Sequence, residues 1–435
     1  MTGKMSERAV RGAAALASGV LLWSAFPRPA LADAAWVALV PLLLVVRRSA
    51  PRAAFGWAWL GGTVFWVATL SWFPAIIKNE GPWPLVLLGQ AGLSAWCALF
   101  FGAFGAASAV VWRWAGAAPG PRRVAAALVA DPLLWAGTEW ARGWLFSGFA
   151  WNFLGVSQVA NVPLIQIASV AGVYGVSALL VLANGAIATL AERLAEPFVA
   201  RARRQRRAAP AVGGNGLLRS AESFLPLALV VGCWQWGLVR VGDWSRRAPG
   251  EPAWQLALVQ PNSPCIFERD EATMRRQMEL LVSQTRLAGS SKPDLTVWPE
   301  TAVLGSVPDD ADTMRLARAG AAAAGGALLT GALEVERTRV SPAAPQGYFF
   351  YNAAWLFSSS GEAMGRYRKR HLVPFGEYIP LDKTIPLLQR LAPTGVSCTP
   401  GRDPGVLRVA QGPGRELAVG PMICFEDTVP PLSRE

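Results

Sequence analysis

A cysteine, a glutamate and a lysine each follow an apolar stretch and each carry a side chain that serves acyl transfer. Cys424 lies in "PMICFED", Glu300 ends "DLTVWPE", and Lys369 lies in "RYRKR". A cysteine attacks a carbonyl as its thiolate, and a carboxylate accepts the thiol proton as a general base. A lysine stabilises the oxyanion that then forms. The three residue types therefore supply the nucleophile, base and electrophile of an acyl transfer.

Each of these residues also has a purely structural interpretation. A glutamate at a strand end is often a surface residue, and a run of charges such as that around Lys369 is usually solvated. A cysteine in an apolar strand is more often a core residue than a nucleophile. Cysteine–histidine catalysis would need His371, the only histidine in the chain, and a lone histidine is more often structural. The residue types alone leave both interpretations open.

The pattern of strands and helices after residue 252 predicts how the three residues meet. Helices are expected at 271–289 and 310–326, and strands are expected at 254–262, 294–300, 327–336, 348–362 and 415–427. This β-α-β-α-β-β order, followed by a long loop and a further strand, predicts an α/β sandwich with its helices outside. Ligand sites of open α/β sheets lie at the carboxyl ends of strands, so we expect the three side chains to converge there.

Residues 1–245 have the composition of a membrane domain. The 435-residue chain is only 16% charged, whereas globular proteins average about 25%. A membrane helix needs about 20 apolar residues, and about seven transmembrane helices are predicted, at 9–26, 35–46, 53–77, 85–112, 124–146, 163–190 and 224–241. The stretch at 35–46 is the weakest. The basic start of the first stretch also fits a cleaved signal peptide, but an uncleaved helix is favoured.

The basic residues predict the orientation of these helices. With the N-terminus inside, the inside segments hold 16 Lys and Arg residues, and the outside loops hold Arg28 and Lys78. This asymmetry follows the positive-inside rule and places residues 252–435 outside the cytoplasm. Residues 1–251 carry 22 basic and 10 acidic residues, which accounts for the whole net charge of +12. The basic excess therefore reflects membrane topology, and no nucleic-acid partner is expected.

The five cysteines have no metal-binding spacing, and the sequence has no glycine-rich phosphate loop. We therefore expect neither a metal nor another cofactor. Cys97 and Cys233 lie in apolar stretches and are expected to be packing residues. An odd number of cysteines leaves at least one thiol outside any internal disulfide. A disulfide between Cys265 and Cys398 is possible, but nothing in the sequence supports it.

Longer motifs around the three residues resemble a known family. "VWPET", "YRKRHLVPFGEYIP" and "MICFED" are similar to the Glu–Lys–Cys triad motifs of the carbon–nitrogen hydrolase (nitrilase) superfamily. "HLVPFGEYIP" and "EWARGWLFSGFAWNFLGVSQ" at 139–158 resemble the bacterial apolipoprotein N-acyltransferases in particular. The resemblance implies a multi-span α-helical membrane domain followed by a nitrilase-like α-β-β-α sandwich, over residues 252–435, in the periplasm.

The resemblance also implies a reaction at the bacterial inner membrane. The family moves an acyl chain from a phospholipid, preferably phosphatidylethanolamine, onto the cysteine as a thioester. The chain then passes to the α-amine of the diacylglyceryl-cysteine of an apolipoprotein. By position, Glu300 resembles the general base, Lys369 the oxyanion-stabilising lysine and Cys424 the nucleophile. Supporting or substrate-binding positions are Glu377, Glu426, Tyr367 and Phe425, the last standing where a tyrosine is common.

Two departures from the family pattern keep other interpretations open. The family usually has a tryptophan a few residues after the "VQPN"-like strand, where Phe267 is the nearest aromatic residue here. The family domain also continues well beyond the cysteine, so we expect this chain to be incomplete at its C-terminus. The alternatives are a membrane-tethered amidase or nitrilase-type hydrolase, and an inactive truncated remnant that serves as a membrane scaffold.

Overall fold

The protein folds as two compact units in a computed structural model. The structure describes residues 2–75, 83–204, 216–246, 253–262, 271–341, 347–374, 376–379, 397–410 and 415–432. Met1–Arg247 forms one unit and Ala248–Glu435 the other, and we call them the helical unit and the sheet unit.

The helical unit consists of α-helices joined by short 3₁₀ and π turns. Proline occupies the first or second position of several of these helices, where its missing N–H would have no partner in any case. The helices are α1 Thr2–Ser24, α2 Val40–Val46, α3 Pro51–Thr69, α4 Trp83–Ala115, α5 Pro121–Ala125, α6 Asp131–Arg142, α7 Val162–Ile165, α8 Ala168–Arg204 and α9 Gly216–Ser245.

Four helices among the described residues are long and apolar enough to cross a membrane. They are Pro51–Ala75, Trp83–Ala115, Ala168–Glu196 and Ser220–Ser245. The stretch expected at 9–26 falls almost wholly within α1, whereas the stretches expected at 35–46 and 124–146 are divided. The first of these contains a break before α2, and the second contains a π turn between α5 and α6. The arrangement with seven crossings therefore remains a prediction.

Small and polar residues make the close contacts of the helical unit. A Cβ atom added at Gly19 of α1 would lie 2.4 Å from the backbone oxygen of Gly61 in α3, so glycine permits the two backbones to approach. Asn184 of α8 accepts the Leu39 N–H at 2.8 Å and donates to the Ala35 oxygen at 2.9 Å. These bonds satisfy backbone groups at the break before α2, as a nonpolar environment requires.

The long motif of the helical unit folds around two buried ionisable residues of α6. Glu139 accepts a hydrogen bond from the Leu154 N–H at 2.7 Å. Arg142 donates to the Trp151 backbone oxygen at 2.8 Å, and its guanidinium lies 4.8 Å from the ring centroid of Phe153. Side chains at the end of α6 thus hold the loop that follows it.

The sheet unit contains a six-stranded mixed sheet with the order β1-β2-β4-β5-β6, and β3 also pairs with β4. The first four strands are parallel, whereas β5 and β6 are antiparallel to their neighbours. The strands are β1 Leu256–Leu258, β2 Leu295–Val297, β3 Val303–Ser306, β4 Ala327–Arg337, β5 Tyr348–Phe357 and β6 Ala363–Arg368. Helix α10 is Glu271–Gly289 and α11 is Ala311–Ala324. A separate antiparallel pair comprises β7, Leu407–Ala410, and β8, Glu416–Val419.

Each face of the large sheet has its own hydrophobic core. Leu328 of β4 packs with residues of α10 and α11 on one face. The next residue, Leu329, packs with residues of β7 on the other face, where β8 also contributes. Adjacent residues of a strand point to opposite faces, so β4 joins both cores. The layered α/β fold predicted from the sequence is therefore confirmed.

The segment before Cys424 differs from the sequence expectation. A strand was expected at 415–427, but β8 ends at Val419 and a 3₁₀ helix spans Cys424–Thr428. The Ile423 N–H donates to Oε2 of Glu426 at 2.8 Å, so a side chain within the turn replaces a neighbouring strand as its partner. The strands β3, β6 and β7 lie outside the strand ranges expected from the sequence.

Candidate active site

Glu300 lies in the turn between β2 and β3. Both of these strands pair with β4. The Trp298 N–H donates to the Leu329 oxygen at 2.8 Å, and the Gly331 N–H donates to the Pro299 oxygen at 3.2 Å. A Cβ atom at Gly331 would lie 2.6 Å from the Cα atom of Glu300. The lack of a side chain at Gly331 therefore lets the Glu300 turn lie directly on β4.

Lys369 follows the last residue of β6 and is buried, with 1% of its surface exposed. Its backbone N–H donates to the Asn352 oxygen at 2.8 Å. Its Nζ donates to Oε1 of Glu377 at 2.9 Å and lies 3.6 Å from Oε1 of Glu300. Burial alone would lower the pKa of Lys369, but the hydrogen bond and charge of Glu377, aided by Glu300 and Cys424, raise it above its ordinary value. The ammonium is therefore a stable positive charge.

Glu377 is held within a compact turn of the loop after β6. Its Oε2 accepts the Val373 N–H at 2.8 Å, and its own N–H donates to the Val373 oxygen at 2.9 Å. The backbone oxygen of Glu377 accepts the Cys398 N–H at 2.7 Å. The carboxylate that binds Lys369 is thus fixed from both ends of the turn.

Cys424 begins the 3₁₀ helix and has an exposed side chain. Its φ of 53° is a left-handed conformation that is uncommon for residues other than glycine. The thiol lies close enough to the Glu300 and Lys369 side chains for both charges to act on it. Burial raises the pKa of Cys424, the charge and hydrogen bond of Glu300 raise it further, and Lys369 opposes this shift. The thiol therefore needs a base to remove its proton, and Glu300 is in contact with it.

Glu426 is fully buried and binds the turn of Cys424 to the end of β6. Its Oε1 accepts the Tyr367 hydroxyl at 2.8 Å, the Arg370 N–H at 2.7 Å and the His371 N–H at 3.0 Å. Its Oε2 accepts the Ile423 N–H at 2.8 Å. Burial and the bond to Glu426 raise the pKa of Tyr367, so that hydroxyl stays protonated and continues to donate.

Phe425 lies between Cys424 and Glu426 in the sequence. Its ring is buried and stacks on the His371 ring, with 5.8 Å between the centroids. Its backbone N–H forms a hydrogen bond with Cys424 that favours the thiolate. The sequence-predicted residues thus form two groups. Glu300, Lys369, Glu377 and Cys424 form the charged group, and Tyr367, Phe425 and Glu426 form the supporting group.

Asn352 of β5 belongs to the charged group, and the sequence analysis did not identify it. Its Nδ2 lies 2.7 Å from Oε1 of Glu300 and 2.7 Å from Oε1 of Glu377. The available signal was one amide side chain in the otherwise apolar strand "YFFYNAAWLF". A polar residue buried in a strand requires a partner, but its partners lie 52 and 25 residues away.

Cys398 contributes a second thiol near the charged group. Burial and the charge of Glu377 raise the pKa of Cys398 to about 12, so it is far less reactive than an ordinary thiol. Cys265 lies outside the described residues. Cys398 is a free thiol in the structure, so the bridge that the sequence left open is not formed there. Across the described ranges, no three His, Cys, Asp or Glu side chains are grouped so as to hold a metal ion.

Two family models match the chain in sequence order. The model described as "Apolipoprotein N-acyltransferase N-terminal domain" matches residues 18–186. The model described as "Carbon-nitrogen hydrolase" matches residues 255–435. The first match lies in the helical unit, and the second contains every residue of the candidate site.

Curated relatives match most of the chain. The apolipoprotein N-acyltransferase of Geobacter metallireducens is 30% identical over 423 residues, which cover 97% of this chain and 74% of that protein. The enzyme of the same name from Allorhizobium ampelinum is 30% identical over 390 residues, covering 87% of this chain and 65% of the relative.

Among solved structures, a carbon-nitrogen hydrolase from Helicobacter pylori is 18% identical, with a TM-score of 0.26. That match covers 42% of this chain and 55% of the other, which is too limited to support an inference. The identity and coverage of the curated relatives, and the two domain matches in order, are sufficient. The chain belongs to the apolipoprotein N-acyltransferase family.

Proposed function

We propose that the protein transfers a fatty acyl group from a phospholipid to the N-terminal α-amine of diacylglyceryl-cysteine apolipoproteins. The observation that carries this proposal is the contact of an exposed thiol, Cys424, with Glu300, while Lys369 lies 3.6 Å from the same glutamate. The relatives are named apolipoprotein N-acyltransferases, which supports a lipoprotein as the acceptor.

In the first half-reaction Cys424 takes the acyl group from the donor. Glu300 accepts the thiol proton as the sulfur attacks the ester carbonyl, and Lys369 stabilises the resulting oxyanion. The intermediate collapses with cleavage of the carbon–oxygen bond. The departing alkoxide of the lysophospholipid takes the proton from Glu300, and a thioester remains on Cys424.

In the second half-reaction the acceptor amine attacks the thioester. Glu300 accepts a proton from the amine, and Lys369 again stabilises the oxyanion. Cleavage of the carbon–sulfur bond releases the amide, and the proton returns from Glu300 to the Cys424 sulfur. Glu377 holds Lys369 throughout, while Glu426 and Tyr367 maintain the turn that carries Cys424.

The membrane setting belongs to the same proposal. Phosphatidylethanolamine is the proposed acyl donor, and the bacterial inner membrane is the proposed location. The apolar helices of the helical unit support a membrane setting, and the distribution of basic residues supports a cytoplasmic N-terminus with a periplasmic sheet unit.

The choice of acceptor tests this function. Purified protein is incubated with phosphatidylethanolamine that carries a labelled acyl chain, with and without a synthetic diacylglyceryl-cysteine peptide. We expect labelled N-acyl peptide and an equal amount of lysophospholipid, and neither product with the Cys424→Ala variant. Labelled free fatty acid released at the same rate with and without peptide would instead establish a hydrolase. Absence of every product would contradict catalysis by this chain.

A further inference from the structure

Asn352 lies among the charged groups of the site, yet the proposed reaction assigns it no step. Only 5% of its surface is exposed, and its Nδ2 makes both 2.7 Å contacts with Glu300 and Glu377. The amide must donate in both contacts, because the opposite orientation would place Oδ1 against two carboxylate oxygens. One buried amide group therefore joins two carboxylates.

The same two carboxylate oxygens also face Lys369. Its Nζ lies 2.9 Å from Oε1 of Glu377 and 3.6 Å from Oε1 of Glu300. One ammonium group thus lies near two carboxylates. The two N–H groups of Asn352 give each of these carboxylates a further, charge-assisted hydrogen bond.

The backbone of Asn352 fixes the third member of the group. Its carbonyl oxygen accepts the Lys369 N–H at 2.8 Å, directly beyond the paired residues Ala353 and Arg368 of β5 and β6. Asn352 also pairs with Leu333 of β4. A residue in the interior of the sheet therefore bonds to the base, to the lysine and to the carboxylate that holds the lysine.

We infer that Asn352 is a positioning residue that holds the Glu300 carboxylate beside Cys424. Asn352 bonds to both carboxylates, so that Glu300 stays available as the base while Glu377 holds Lys369. The inference deepens the proposed function, on which it relies for the identity of the base. Asn352 acts through Glu300 and does not itself touch the reacting atoms.

Removing the amide has a consequence for the thiol. The charged groups that face Cys424 are Glu300 and Lys369, and Glu377 faces Lys369 in turn. Without Asn352, the Glu300 carboxylate loses the hydrogen bond that holds it in place and turns away from the thiol. That movement weakens the negative charge beside Cys424. Since that charge raises the pKa of Cys424, the Asn352→Ala variant should have a lower thiol pKa.

Alkylation of Cys424 at a series of pH values tests the inference in the full chain. The rate of iodoacetamide modification is followed by mass spectrometry of the peptide that contains Cys424. We expect the pH midpoint of Asn352→Ala to lie below that of the wild-type protein and close to that of Glu300→Gln. The double variant should lie no lower than Glu300→Gln alone, because both changes act through one carboxylate. Thioester formation should fall about 10- to 100-fold, as for loss of a hydrogen bond to a charged group.

Two further variants serve as controls. Thr330→Val removes a buried hydroxyl from β4, where Oγ1 bonds only weakly to the Gly331 oxygen at 3.3 Å, and should keep the wild-type midpoint. Asn352→Ser retains one donor and should give an intermediate midpoint. If Asn352→Ala does not fold, the pH midpoint of Cys424 alkylation in Asn352→Ser tests the inference in its place.

Two outcomes would overturn the inference. One is a wild-type midpoint and a wild-type rate of thioester formation in Asn352→Ala or, where that variant does not fold, in Asn352→Ser. The other is a double variant whose midpoint falls by the sum of the single effects. Alkylation needs neither acyl donor nor acceptor. A wild-type protein that transfers no acyl group would therefore contradict the proposed function, while the alkylation midpoints would still decide the role of Asn352.

Discussion

At the residue scale, the candidate site combines an exposed thiol with a buried cation. Cys424 is open to solvent, whereas Lys369 is almost wholly enclosed and bound to Glu377. A charge fixed in an environment of low polarity acts on a developing oxyanion more strongly than a solvated charge does. In the proposed reaction, the exposed thiol lets a bulky acyl donor approach, while the buried lysine supplies the electrostatic stabilisation.

The pKa of Cys424 should respond in opposite directions to its two charged neighbours. Glu300→Gln removes a charge and a hydrogen bond that favour the protonated thiol, so the pH midpoint of alkylation should fall. Lys369→Met removes the cation that favours the thiolate, so the midpoint should rise. Both variants should still lose thioester formation by a factor of about 10²–10³, because the reaction loses its base or its oxyanion donor.

Cys398 provides an internal reference for these measurements. Its pKa of about 12 keeps it protonated across the working range, so its peptide should remain nearly unmodified. A midpoint for Cys424 that moves in the same direction in both variants would contradict the charge assignment.

At the element scale, the β2–β3 turn depends on a close backbone approach. A Cβ atom at Gly331 would lie 2.6 Å from the Pro299 oxygen, the Glu300 Cα atom and the Thr301 nitrogen. Gly331→Ala should therefore displace the Glu300 turn and slow thioester formation at least about tenfold, the effect of small misplacements in active sites. Gly420→Ala is the matched control, since a Cβ atom there meets nothing within 4 Å.

The rate of thioester formation and the thermal unfolding temperature are measured for both variants. Together they distinguish displacement of the Glu300 turn from unfolding of the protein. Gly331→Ala should lose activity at temperatures where it remains folded, and Gly420→Ala should behave as the wild-type protein. Equal activity in the two variants would show that the close approach does not position Glu300.

Elements with a strong local signal were predictable from the sequence. The apolar periodicity over 271–289 and the glycine at its end predicted α10 with the bounds that it has. The apolar stretch at 327–336 likewise predicted β4, to within one residue. Its first six residues are all buried, as expected for a strand that is covered on both faces.

Features that depend on distant partners were not predictable. The strand before Cys424 stops early because the Glu426 carboxylate binds the Ile423 N–H and groups from β6 and the loop after it. Asn352 was missed because its carboxylate partners come from two other segments. The motifs located the candidate site residues, whereas the hydrogen bonds that orient them depend on the folded chain.

At the scale of the whole molecule, the two units use different means to satisfy polar groups. The helical unit binds its interrupted backbone with side chains such as Asn184, because lipid offers no hydrogen bonds. In the sheet unit, backbone groups form hydrogen bonds between strands, and buried side chains such as Glu426 bind residues of the candidate site. The basic excess is confined to the residues of the first unit and the short segment after it, as the charge counts show.

This confinement predicts the topology of the chain in a bacterial membrane. Alkaline phosphatase fused after Pro252 should be active, because it folds only outside the cytoplasm, and a cytoplasmic fluorescent reporter at the same position should be dark. Replacing the basic residues of the predicted loop at 113–123 should weaken this bias. A fusion after Pro252 that works only in the cytoplasm would contradict the orientation.

The most direct measurement is mass spectrometry of the full chain after incubation with phospholipid and no acceptor. A fatty-acyl mass should appear on the peptide that contains Cys424, should be absent in Cys424→Ser, and should disappear when an acceptor amine is added. The serine keeps the size of the side chain but forms no thiolate. An acyl group on Cys398 or Cys265 instead, or normal lipoprotein N-acylation by Cys424→Ser, would contradict the assignment of Cys424 as the nucleophile.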